Sequence, residues 1–581
     1  MTTYDTILAS IRSILDLPEL SLEKPRETGH GDYATNAALQ MAKSFGKNPH
    51  DMATGMLPKI TALPFVESGE IAGPGFINIK IKNDFILSEI NKVNLHPKAD
   101  KPLVIDIDYG SYNVGKELHI GHLRTSIVGD SLVRIGRFLG HKIIGYNHMG
   151  DWGRNMAIVV AGIINRYPDV WKNPDFDIPL HEINEYYVEA STRAKEDPEF
   201  MKLIHTIKVE LQNHHHEYFP LYEKFLAVSL DMMHSAMRKL NMLQIDNDKG
   251  ERNAHQYIPD AEKWLREKGL LELSDGAEVI HVKRNDDTAP MPPYMFRDSR
   301  GATTYDSADI AAAYYRKITD NPDIGLYIVG TEQILHFEQL FRVLDKMGMF
   351  PYGTRIHMPI GMMTGKDGKI FKTRNGGNAT LIDMIDMVDI AVRERVKNTN
   401  KELDIDTMHM IALSALKFND FIHDLRSMYT FDPDEITAFE GRTGPYILYT
   451  AVRLNSALKK SEPSEGNVGH SNECGNRAAD DVRNATDSTS TLGAITTIEN
   501  DFERDLLLKI LDFPKMIVTT FEKRALDILA NYTYDLASLA NVFYHHCPIK
   551  GNINRIGIAS LASHTLTQCI ELMGLAVPSE M

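Results

Sequence analysis

The alternation of hydrophobic and polar positions sets the start of the chain apart from the rest of the sequence. Over Ala34–Phe45 apolar residues recur with helical spacing, and at Phe76–Ile81 they alternate as in a half-buried strand that comes after a Gly-Pro-Gly turn. The polar segment Asn94–Lys101 contains a proline and separates these elements from the next pattern. We therefore predict a mixed α/β domain over residues 1–95 that ends in a short linker.

The next stretch of sequence predicts a strand–helix–strand unit. Leu103–Asp108 and Lys142–Tyr146 are short runs that contain β-branched residues and are typical of strands. Between them, apolar positions from Ile127 to Leu139 share one face of a helix that begins near His122 and ends at Gly140. Two strands joined by a helix within about 45 residues are typical of a parallel sheet.

The remaining periodicity completes the prediction of a multidomain α/β protein. Residues 160–270 are rich in charge and helix formers, which indicates a helical insertion, and strand-like runs return at Glu278–Val282 and Leu326–Val329. Helical spacing dominates the last part of the chain, interrupted at 461–497 by a polar stretch that we interpret as a mobile insert. The predicted domains are an α+β domain at 1–95, a parallel-sheet domain at 96–400 and an all-α domain at 401–581.

Composition narrows the class of protein. Of 581 residues, 43% are hydrophobic and 24% charged, and no apolar stretch approaches the roughly 18 residues of a membrane helix. The N-terminus has neither the basic region nor the cleavage site of a signal peptide. The cysteines Cys474, Cys547 and Cys569 lie far apart, which argues against a disulfide scaffold or a cysteine-rich zinc site. We therefore expect a cytoplasmic protein with no membrane association and no structural metal.

The charge balance excludes a general binder of polyanions. Lysine and arginine number 63 and aspartate and glutamate 79, which gives a net charge of −16 and long-range repulsion of nucleic acid. Basic residues nevertheless cluster at 346–381, with six lysines and arginines against one acid, and at 441–461, with four and no acid. Charge alone leaves open whether these clusters bind a phosphate backbone or are ordinary solvated surface.

The most informative motif is Asn113–Arg124, with the sequence NVGKELHIGHLR. An isolated pair of histidines three residues apart is usually a pair of surface side chains. Here His119 and His122 lie where a strand gives way to a helix, and open parallel sheets bind nucleotides at such a place. Backbone N–H groups at a helix N-terminus attract phosphate, and Gly121 removes a side chain where a ligand would approach the backbone. A Walker A loop at Gly361–Lys366 is excluded by its spacing.

Several further motifs occur in the same order as in one known family. The long string NVGKELHIGHLRTSIVGDSLVRIGRFLGH is followed by NHMGDWG, and the other matching strings are HGDYATNAALQMA, AGPGFINI, TTYDSADIAAAYYR, GKDGKIFKTRNG and RTGPYILYTAVR. In these strings, which span almost the whole chain, the sequence resembles the arginyl-tRNA synthetases of class I. The resemblance implies a Rossmann-like catalytic domain, an N-terminal domain that contacts the tRNA D-loop and a C-terminal anticodon-binding domain. It also implies ATP-dependent ligation of L-arginine to tRNA(Arg) through arginyl-adenylate, with Mg²⁺ accompanying ATP, by a monomeric enzyme.

The resemblance assigns residues to the ATP subsite. His119 and His122 are expected to hydrogen-bond phosphate oxygens as negative charge develops, and Gly121 to let adenosine lie against the backbone. The implied ATP contacts are His119, Ile120, Gly121, His122, His148, Gly150, Asp151 and Lys372. Trp152 is equally compatible with this pocket and with the protein core.

Class I enzymes usually carry a KMSKS loop, whose second lysine contacts the pyrophosphate end of ATP. This chain lacks that second lysine. The corresponding segment runs from Lys369 to Arg374, and Thr373 occupies the lysine position. Arginyl enzymes that lack this lysine often have another lysine upstream of the HIGH motif, which is His119–His122 in this chain. Lys116 occupies that place here. The resemblance therefore implies that Lys116 replaces the missing charge and that Lys369 and Lys372 assist. The alternative is a basic surface loop without a catalytic role.

Arginine recognition calls for carboxylates, because a guanidinium presents a planar fork of donors that a carboxylate meets with two parallel bonds. Tyr305 and Asp309 are four residues apart on one face of a predicted helix. The resemblance assigns both to the arginine subsite, together with Asp108, Asn113 and Gln333. Without it, Asp309 is more simply explained as a negative charge near a helix N-terminus.

Contacts with tRNA are expected at both ends of the chain. The resemblance assigns them to Phe76, Asn78, Arg442, Tyr446, Tyr449 and Met581. Exposed aromatic residues stack on unpaired bases. For Tyr449, which lies in a predicted helix, packing in the core is nearly as good an explanation.

Three other functions compete with this one. A small adenylyltransferase also carries a HIGH motif but is much shorter, and another class I specificity does not explain Lys116. A catalytically inactive relative that binds RNA would show damage to the HIGH or arginine-binding motifs, and both are intact. The three consecutive histidines at 214–216 point about 100° apart on a helix and cannot converge on one metal ion.

Overall fold

A computed structural model describes residues 2–25, 29–115, 118–179, 182–212, 217–365, 368, 380–397, 402–461 and 494–581. Most of the sequence predicted to form a mobile insert, 462–493, therefore lies outside the described residues, as do the three histidines at 214–216. Among the described residues, no helix is both long and apolar enough to cross a lipid bilayer.

The first part of the chain folds as a small antiparallel sheet covered by helices. Its elements are α1 (Thr3–Leu15), β1 (Tyr33–Thr35), α2 (Ala37–Phe45), α3 (Pro49–Thr61), β2 (Val66–Ala72), β3 (Phe76–Ile81) and α4 (Asn83–Ile90). The strands are ordered β1-β3-β2. The strand predicted at Phe76–Ile81 is confirmed, whereas the predicted helix begins later than Ala34. Its first residues instead form β1, because Tyr33 pairs with Ile79 and Ala34 with Asn78.

The central part is built around a parallel sheet. Its elements are β4 (Val104–Asp108), α5 (Ile120–Phe138), β5 (Lys142–Tyr146), α6 (Arg154–Arg166), α7 (Ile183–Glu196), α8 (Pro198–Gln212), α9 (Phe219–Lys239), α10 (Glu251–His255), α11 (Ile258–Glu267), β6 (Glu272–Ser274), β7 (Ala277–Ile280), β8 (Tyr294–Arg297), α12 (Tyr305–Thr319), β9 (Ile324–Gly330), α13 (Ile334–Lys346), β10 (Arg355–Ile360), β11 (Met363–Thr364) and α14 (Leu381–Lys397). Four parallel strands are ordered β10-β9-β4-β5. The prediction of a strand–helix–strand unit in a parallel sheet is confirmed.

The chain leaves β4 in one direction and β9 in the other, which creates a switch point. From β4 it crosses over α5 to β5 on one side, and from β9 it crosses over α13 to β10 on the other. Open parallel sheets bind ligands in the crevice outside the carboxyl ends of the strands at such a point. A separate three-stranded antiparallel sheet, β6-β7-β8, was predicted only at its middle strand.

The last part is helical, apart from one short strand. Its elements are α15 (Ile405–Phe421), β12 (Tyr429–Thr430), α16 (Pro433–Ile436), α17 (Gly444–Lys459), α18 (Asp501–Leu511), α19 (Phe513–Lys523), α20 (Leu526–His546) and α21 (Ile553–Leu572). The strand β12 departs from the all-helical expectation because Tyr429 and Thr430 pair in parallel with β11.

Buried ion pairs join the three parts. Arg124 of α5 donates from Nε to Asp420 of α15 at 2.6 Å, and both side chains are almost inaccessible. At the other end of the molecule, Arg504 of α18 donates to both carboxylate oxygens of Asp32, at 2.6 and 2.8 Å. The helical C-terminal part is therefore fixed to the helix that starts with the HIGH motif and to the N-terminal sheet.

Candidate active site

A cavity of about 710 Å³ lies at the carboxyl ends of β4, β9 and β10. Side chains from the loop after β4, the start of α5, the loop after β5, helix α12 and the turn before α13 line it. Those predicted from the sequence are Asp108, Asn113, His119, Ile120, Gly121, His122, His148, Tyr305, Asp309 and Gln333. The structure thus brings ten predicted residues, drawn from 225 positions of sequence between Asp108 and Gln333, to one cavity at the switch point.

The loop after β4 turns sharply to present Asn113. Gly110 and Ser111 both have positive φ angles, of 95° and 49°. A side chain at Gly110 would start 2.9 Å from the ring of Tyr112, so this position requires glycine. The loop is then tied to the loop after β5, since the backbone N–H of Gly150 donates to the Tyr112 carbonyl at 3.0 Å.

Gly150 acts beside the cavity rather than as part of its lining. A Cβ there would lie 2.6 Å from the side-chain oxygen of Asn113, so the absence of a side chain leaves space for that amide. The predicted role of Gly150 in ATP binding is untested, and its contact in the structure is with Asn113.

The N-terminus of α5 fixes both histidines of the HIGH motif. His119 is the N-cap, and its Nδ1 accepts from the N–H of Gly121 at 3.1 Å. The Nδ1 of His122 accepts from the N–H of His119 at 3.1 Å, and the two rings stack 3.9 Å apart. A neutral imidazole that accepts at Nδ1 carries its proton on Nε2. Both side chains therefore carry an Nε2–H group of the kind that donates to phosphate oxygens.

Burial keeps His122 uncharged. The side chain is 7% exposed, and the loss of hydration lowers its pKa to about 3, with the neighbouring His119 acting in the same direction. His122 is therefore a neutral hydrogen-bond donor at physiological pH, and it does not act as a proton source.

Asp309 is the carboxylate that faces the cavity from α12. Its Oδ2 lies 2.7 Å from Nε2 of His336, and its Oδ1 lies 3.4 Å from Nε2 of His148. Burial alone would raise the pKa of Asp309, but its contacts with the two histidines outweigh that effect and hold the pKa well below its usual range. Asp309 is therefore ionised, and two imidazoles compensate its charge.

Asp108 is paired with a counter-ion that stays charged. The guanidinium of Arg316 donates to Asp108 at 2.5 Å and to the fully buried Asp106 at 3.2 Å. The backbone N–H of His148 donates to the other Asp108 oxygen at 3.3 Å. Arginine side chains do not lose their proton in proteins, so Arg316 is a permanent cation at the floor of the cavity.

The remaining predicted residues of the arginine subsite lie at the rim. Tyr305 is the first residue of α12, 64% exposed, with its ring 5.3 Å from that of His336. Gln333 ends the 3-10 turn Thr331–Gln333 and lines the cavity. An amide and a phenol at the mouth, with a carboxylate below, form a polar entrance that suits an amino acid with a cationic side chain.

Asp151 and Trp152 lie behind the wall of the cavity. Asp151 is 4% exposed and accepts from the N–H of Arg252 at 2.9 Å. Trp152 is 6% exposed and packs edge-on against Tyr222 with ring centroids 5.7 Å apart. Trp152 therefore lies in the protein core, which is one of its two interpretations from the sequence.

The predicted lysines lie outside the described residues. Lys116, Lys369 and Lys372, together with Thr373, fall in segments that the structure does not describe. Their assigned roles stay predictions. Among the described residues, no group of three histidine, cysteine, aspartate or glutamate side chains is arranged to hold a metal ion.

The predicted tRNA contacts of the N-terminal part differ in accessibility. Phe76 is 36% exposed at the start of β3. Asn78 is 6% exposed, and its amide donates to Glu70 at 3.2 Å. A direct contact of Asn78 with a ligand therefore requires this hydrogen bond to rearrange.

A surface of aromatic and arginine side chains runs along α17 and α20. The guanidinium of Arg453 lies 4.6 Å from the ring centroid of Tyr449 and 5.2 Å from that of Tyr544. Arg442 lies 5.3 Å from the ring of Tyr534, which is itself 5.7 Å from Tyr446. We call these six residues the α17/α20 surface. The sequence predicted Arg442, Tyr446 and Tyr449, and it missed the two tyrosines of α20 because that helix lies about 80 residues further along the chain.

Met581 is the last residue that was predicted to contact tRNA. The C-terminal methionine is half-buried and packs against the hydrophobic core. Its predicted contact with tRNA is untested.

A second cavity, of about 1170 Å³, lies at the opposite ends of the parallel strands. Its lining includes Leu103, Ile105 and Leu326 from the sheet, and Lys515 and Phe521 from α19. None of the predicted site residues lines it. We therefore place the candidate active site in the smaller cavity, where the sequence motifs converge.

Comparison with known proteins finds a similar domain in each part of the chain. Residues 84–433 match the family model described as tRNA synthetases class I (R), catalytic domain. Residues 3–81 match the arginyl tRNA synthetase N terminal domain, and residues 447–581 match the DALR anticodon binding domain.

Curated relatives and solved structures extend the likeness over the whole chain. The arginine–tRNA ligase of Agathobacter rectalis is 32% identical, with 95% of this chain and 94% of the relative aligned. That of Alkaliphilus oremlandii is 33% identical, with 94% of each chain aligned. The fold is similar to the arginyl-tRNA synthetase of Thermus thermophilus, with a TM-score of 0.78 at 20% identity and full coverage of both chains. For the Plasmodium falciparum enzyme the TM-score is 0.79 at 23% identity, covering 100% of this chain and 98% of that one.

Proposed function

Because this chain belongs to the arginyl-tRNA synthetases of class I, we propose that the cavity at the carboxyl ends of β4 and β9 is its active site. The enzyme joins L-arginine to tRNA(Arg) at the expense of ATP, which yields AMP and pyrophosphate. The observation that supports the placement is the opposition, across one cavity, of the ionised Asp309 and the paired histidines at the N-terminus of α5. These two features suit the two ends of the reaction, a guanidinium and a phosphate chain.

The test is arginine-dependent exchange between ATP and pyrophosphate. We expect exchange with L-arginine and none with L-lysine, measured with and without tRNA(Arg). A requirement for tRNA would show that activation depends on it, and exchange without tRNA would remove only that detail. Folded protein that binds tRNA(Arg) but exchanges nothing under either condition would instead indicate a catalytically inactive relative that binds RNA.

In the activation step, the substrate carboxylate attacks the α-phosphate of ATP and pyrophosphate leaves. No covalent enzyme intermediate is needed, so catalysis consists of positioning and of stabilising the charge that develops on the phosphate. We assign the Nε2–H groups of His119 and His122 to phosphate oxygens, with the N-terminus of α5 adding its dipole. Ile120 and Gly121 lie between the histidines at the place we assign to adenosine. The terminal ribose of tRNA then attacks the activated carbonyl, and AMP leaves.

Arginine is assigned to the other end of the cavity. Asp309 would receive the guanidinium fork, and Tyr305 and Gln333 would close the entrance above it. Asn113, held in place beside Gly150, would orient the amino acid next to Asp108. A neutral side chain cannot form two charge-assisted bonds with Asp309, which disfavours neutral amino acids.

We propose that Mg²⁺ arrives with ATP. This ion keeps part of its water shell and favours substrate phosphates over protein cages. Its charge would offset that of the triphosphate beside the two histidines. Asp151 is not assigned to it, because its carboxylate accepts a backbone N–H behind the cavity wall.

Replacing Lys116 with alanine is expected to slow arginine activation by about 100-fold or more. The proposal gives this lysine the charge that Thr373 lacks, and the loss of a positive group that stabilises a phosphoryl transition state costs about 3 kcal/mol. The maximal rate of pyrophosphate exchange should fall, while the KM for arginine changes little. Lys142→Ala, at an exposed lysine that begins β5, is the matched control and should leave the rate unchanged. A normal rate for Lys116→Ala would show that Lys116 does not replace the missing charge, and would support a basic surface loop without a catalytic role.

We propose that tRNA(Arg) is held by both ends of the chain. The N-terminal domain, predicted at 1–95, would contact the D-loop through Phe76 and Asn78, and the all-α domain, predicted at 401–581, would contact the anticodon through the α17/α20 surface and Met581. Local arginines on that surface supply attraction that the net charge of −16 does not. We also propose that the enzyme is a monomer and acts in the cytoplasm.

Replacing Tyr446 with alanine is expected to raise the KM for tRNA(Arg) by about 5- to 150-fold. Base stacking on an aromatic side chain contributes about 1–3 kcal/mol, which converts to that range. The KM for ATP should not change. Tyr352→Ala is the control, because Tyr352 is an exposed tyrosine beside an arginine, Arg284, and lies far from α17 in the sequence. Equal effects of the two variants would argue against the assigned anticodon surface.

A further inference from the structure

His336 is a partly buried histidine in the candidate active site that was not predicted from any motif. It lies on the first turn of α13 and is 12% exposed at its side chain. Its Nε2 is 2.7 Å from Asp309, and its Nδ1 is 3.4 Å from Asp306. Both nitrogens therefore face carboxylates from the same turn of α12.

This geometry fits a charged imidazolium. A neutral imidazole has one N–H and one lone pair, so one of its two nitrogens would direct a lone pair at a negative oxygen. Burial favours the neutral form of His336, but the contacts with Asp306 and Asp309 outweigh it and raise the pKa to about 9. The other groups around the ring add little positive charge. They are Tyr294 of β8, Tyr305 of α12, Phe337 of α13, and His357 of β10, whose pKa is lowered by burial, while Glu332 lines the same cavity.

His148, the second histidine on Asp309, is bound less firmly. Its Nε2 lies 3.4 Å from Asp309, and its buried Nδ1 has no hydrogen-bond partner among the described residues. A single proton on Nε2 satisfies the contact that the structure shows. Burial disfavours its charged form, and Asp309 and Asp108 raise its pKa to about 9 against that effect and against Arg316. The acids Glu251 and Asp151 are also near this ring, and Glu251 has a pKa raised to about 7 by burial.

On the basis of the proposed function, we infer that protonated His336 is the counter-ion of Asp309 in the free enzyme and that arginine displaces it. Arginine therefore binds with the release of one proton. In the free enzyme the imidazolium compensates the charge of a carboxylate whose other contact, with His148, is longer at 3.4 Å. When the guanidinium takes both oxygens of Asp309, the proton on Nε2 of His336 loses its acceptor and faces a second cation. The proton leaves to water. Neutral His336 then keeps its Nδ1–H toward Asp306 and can accept an N–H of the guanidinium at Nε2.

A replaceable counter-ion also sets the specificity of the site. A ligand must bind Asp309 better than the imidazolium does, and a guanidinium does so with two parallel charge-assisted bonds. The ammonium of lysine is a point charge that cannot form this fork, so it gains less from the exchange. L-Citrulline has the shape of arginine but no charge, and it leaves His336 protonated. The Arg316–Asp108 pair cannot serve in this way because Arg316 does not lose its proton.

Competition between protons and arginine determines whether the Kd for arginine rises or falls with pH. Below the pKa of His336 in the free enzyme, protons compete with arginine for the site, so raising the pH strengthens binding. With one proton released, the Kd for arginine should fall by about tenfold per pH unit between pH 7 and 8.5. The slope should level off as the pH reaches about 9.

The experiment is calorimetric titration of the full-length enzyme with L-arginine in phosphate, HEPES and Tris buffers, without ATP. The dependence of the binding heat on the ionisation heat of the buffer gives the number of protons released, for which we expect about one at pH 7.5. L-Citrulline should release none. For His336→Gln, we expect a proton count near zero and a Kd that no longer varies between pH 7 and 8.5. The control is His357→Gln. His357 stacks on Phe337 but does not line the cavity itself, so this variant should behave as the unchanged enzyme.

Asp306→Asn gives an independent test that leaves His336 in place. Loss of this carboxylate lowers the pKa of His336, so the pH window of the arginine affinity should move to lower pH. A purely structural role for His336 predicts instead that His336→Gln weakens binding by the same factor at every pH and keeps the proton count. Arginine binding without proton release would overturn this inference while leaving the proposed function in place. A complete lack of arginine binding would count against the proposed arginine site itself.

Discussion

Asp309→Asn will lower kcat/KM for arginine by roughly 30- to 5,000-fold. Removing one partner of a buried, hydrogen-bonded charge pair costs about 2–5 kcal/mol, and each 1.36 kcal/mol corresponds to a factor of ten. Asparagine has nearly the same shape but presents one N–H₂ group to the guanidinium, so one of the two parallel bonds becomes a repulsive contact. The KM for ATP should stay within about twofold, because the histidines of α5 are not altered. Pyrophosphate exchange at varied arginine and ATP concentrations measures both quantities.

The matched control is Asp386→Asn. Asp386 lies on α14 and is exposed, so the same chemical change there should leave both constants unchanged. If Asp309→Asn loses activity toward ATP and arginine alike, the carboxylate supports the fold of the site and does not receive the substrate side chain. A normal kcat/KM for arginine would reject the assigned subsite.

Arg124→Met will lower the free energy of unfolding by about 3–5 kcal/mol. The guanidinium of Arg124 pairs with Asp420 and also donates to the carbonyl oxygens of Gly361 at 2.7 Å and Ser427 at 3.0 Å. Methionine fills much of the same volume, but it leaves a buried carboxylate and two carbonyls without their donor, and breaking a buried pair costs about this amount. The melting temperature should fall by several degrees, as followed by calorimetry or circular dichroism.

A double variant separates the lost pair from the lost volume. In Arg124→Met/Asp420→Leu no unpaired charge remains, so we expect at least half of the lost stability to return. Arg300→Met is the control on the surface, where the pair with Asp298 is 86% exposed at the arginine and a change of at most about 0.5 kcal/mol is expected. A double variant no more stable than Arg124→Met would show that the hydrogen bonds to the carbonyls, and not the ion pair, carry the effect.

Local patterns predicted much of the fold. The strands at Phe76–Ile81 and Lys142–Tyr146 have the predicted bounds, because period-two alternation and flanking turns are properties of the segment itself. Helix α5 begins at Ile120, two residues before the predicted start, because its N-cap is a histidine and not one of the usual capping residues. Ala34 and Thr35 of β1 were predicted as helix, since their pairing partners lie more than forty residues further along the chain.

The candidate site was predictable where its residues stand in motifs. His119, His122, Asn113 and Asp309 were all found in this way, and they meet in one cavity. His336 and Arg316 were not found, because their importance comes from partners that are distant in sequence: Asp309 is 27 residues from His336 and Asp108 is 208 residues from Arg316. The sequence also could not show that Asn78 is buried against Glu70. Such facts depend on which side chains meet in three dimensions.

The ion pair between Asp32 and Arg504 has a consequence for the order in which the protein is made. Its partners are 472 residues apart, and a ribosome adds about 5–20 residues per second, so Asp32 is added to the chain roughly 24–94 s before Arg504. Within its own domain, the carboxylate already accepts from the backbone N–H of Ile81 at 2.7 Å. The N-terminal sheet can fold early, but it docks on α18 only near the end of synthesis. The first part of the enzyme to be translated is thus among the last to reach its final position.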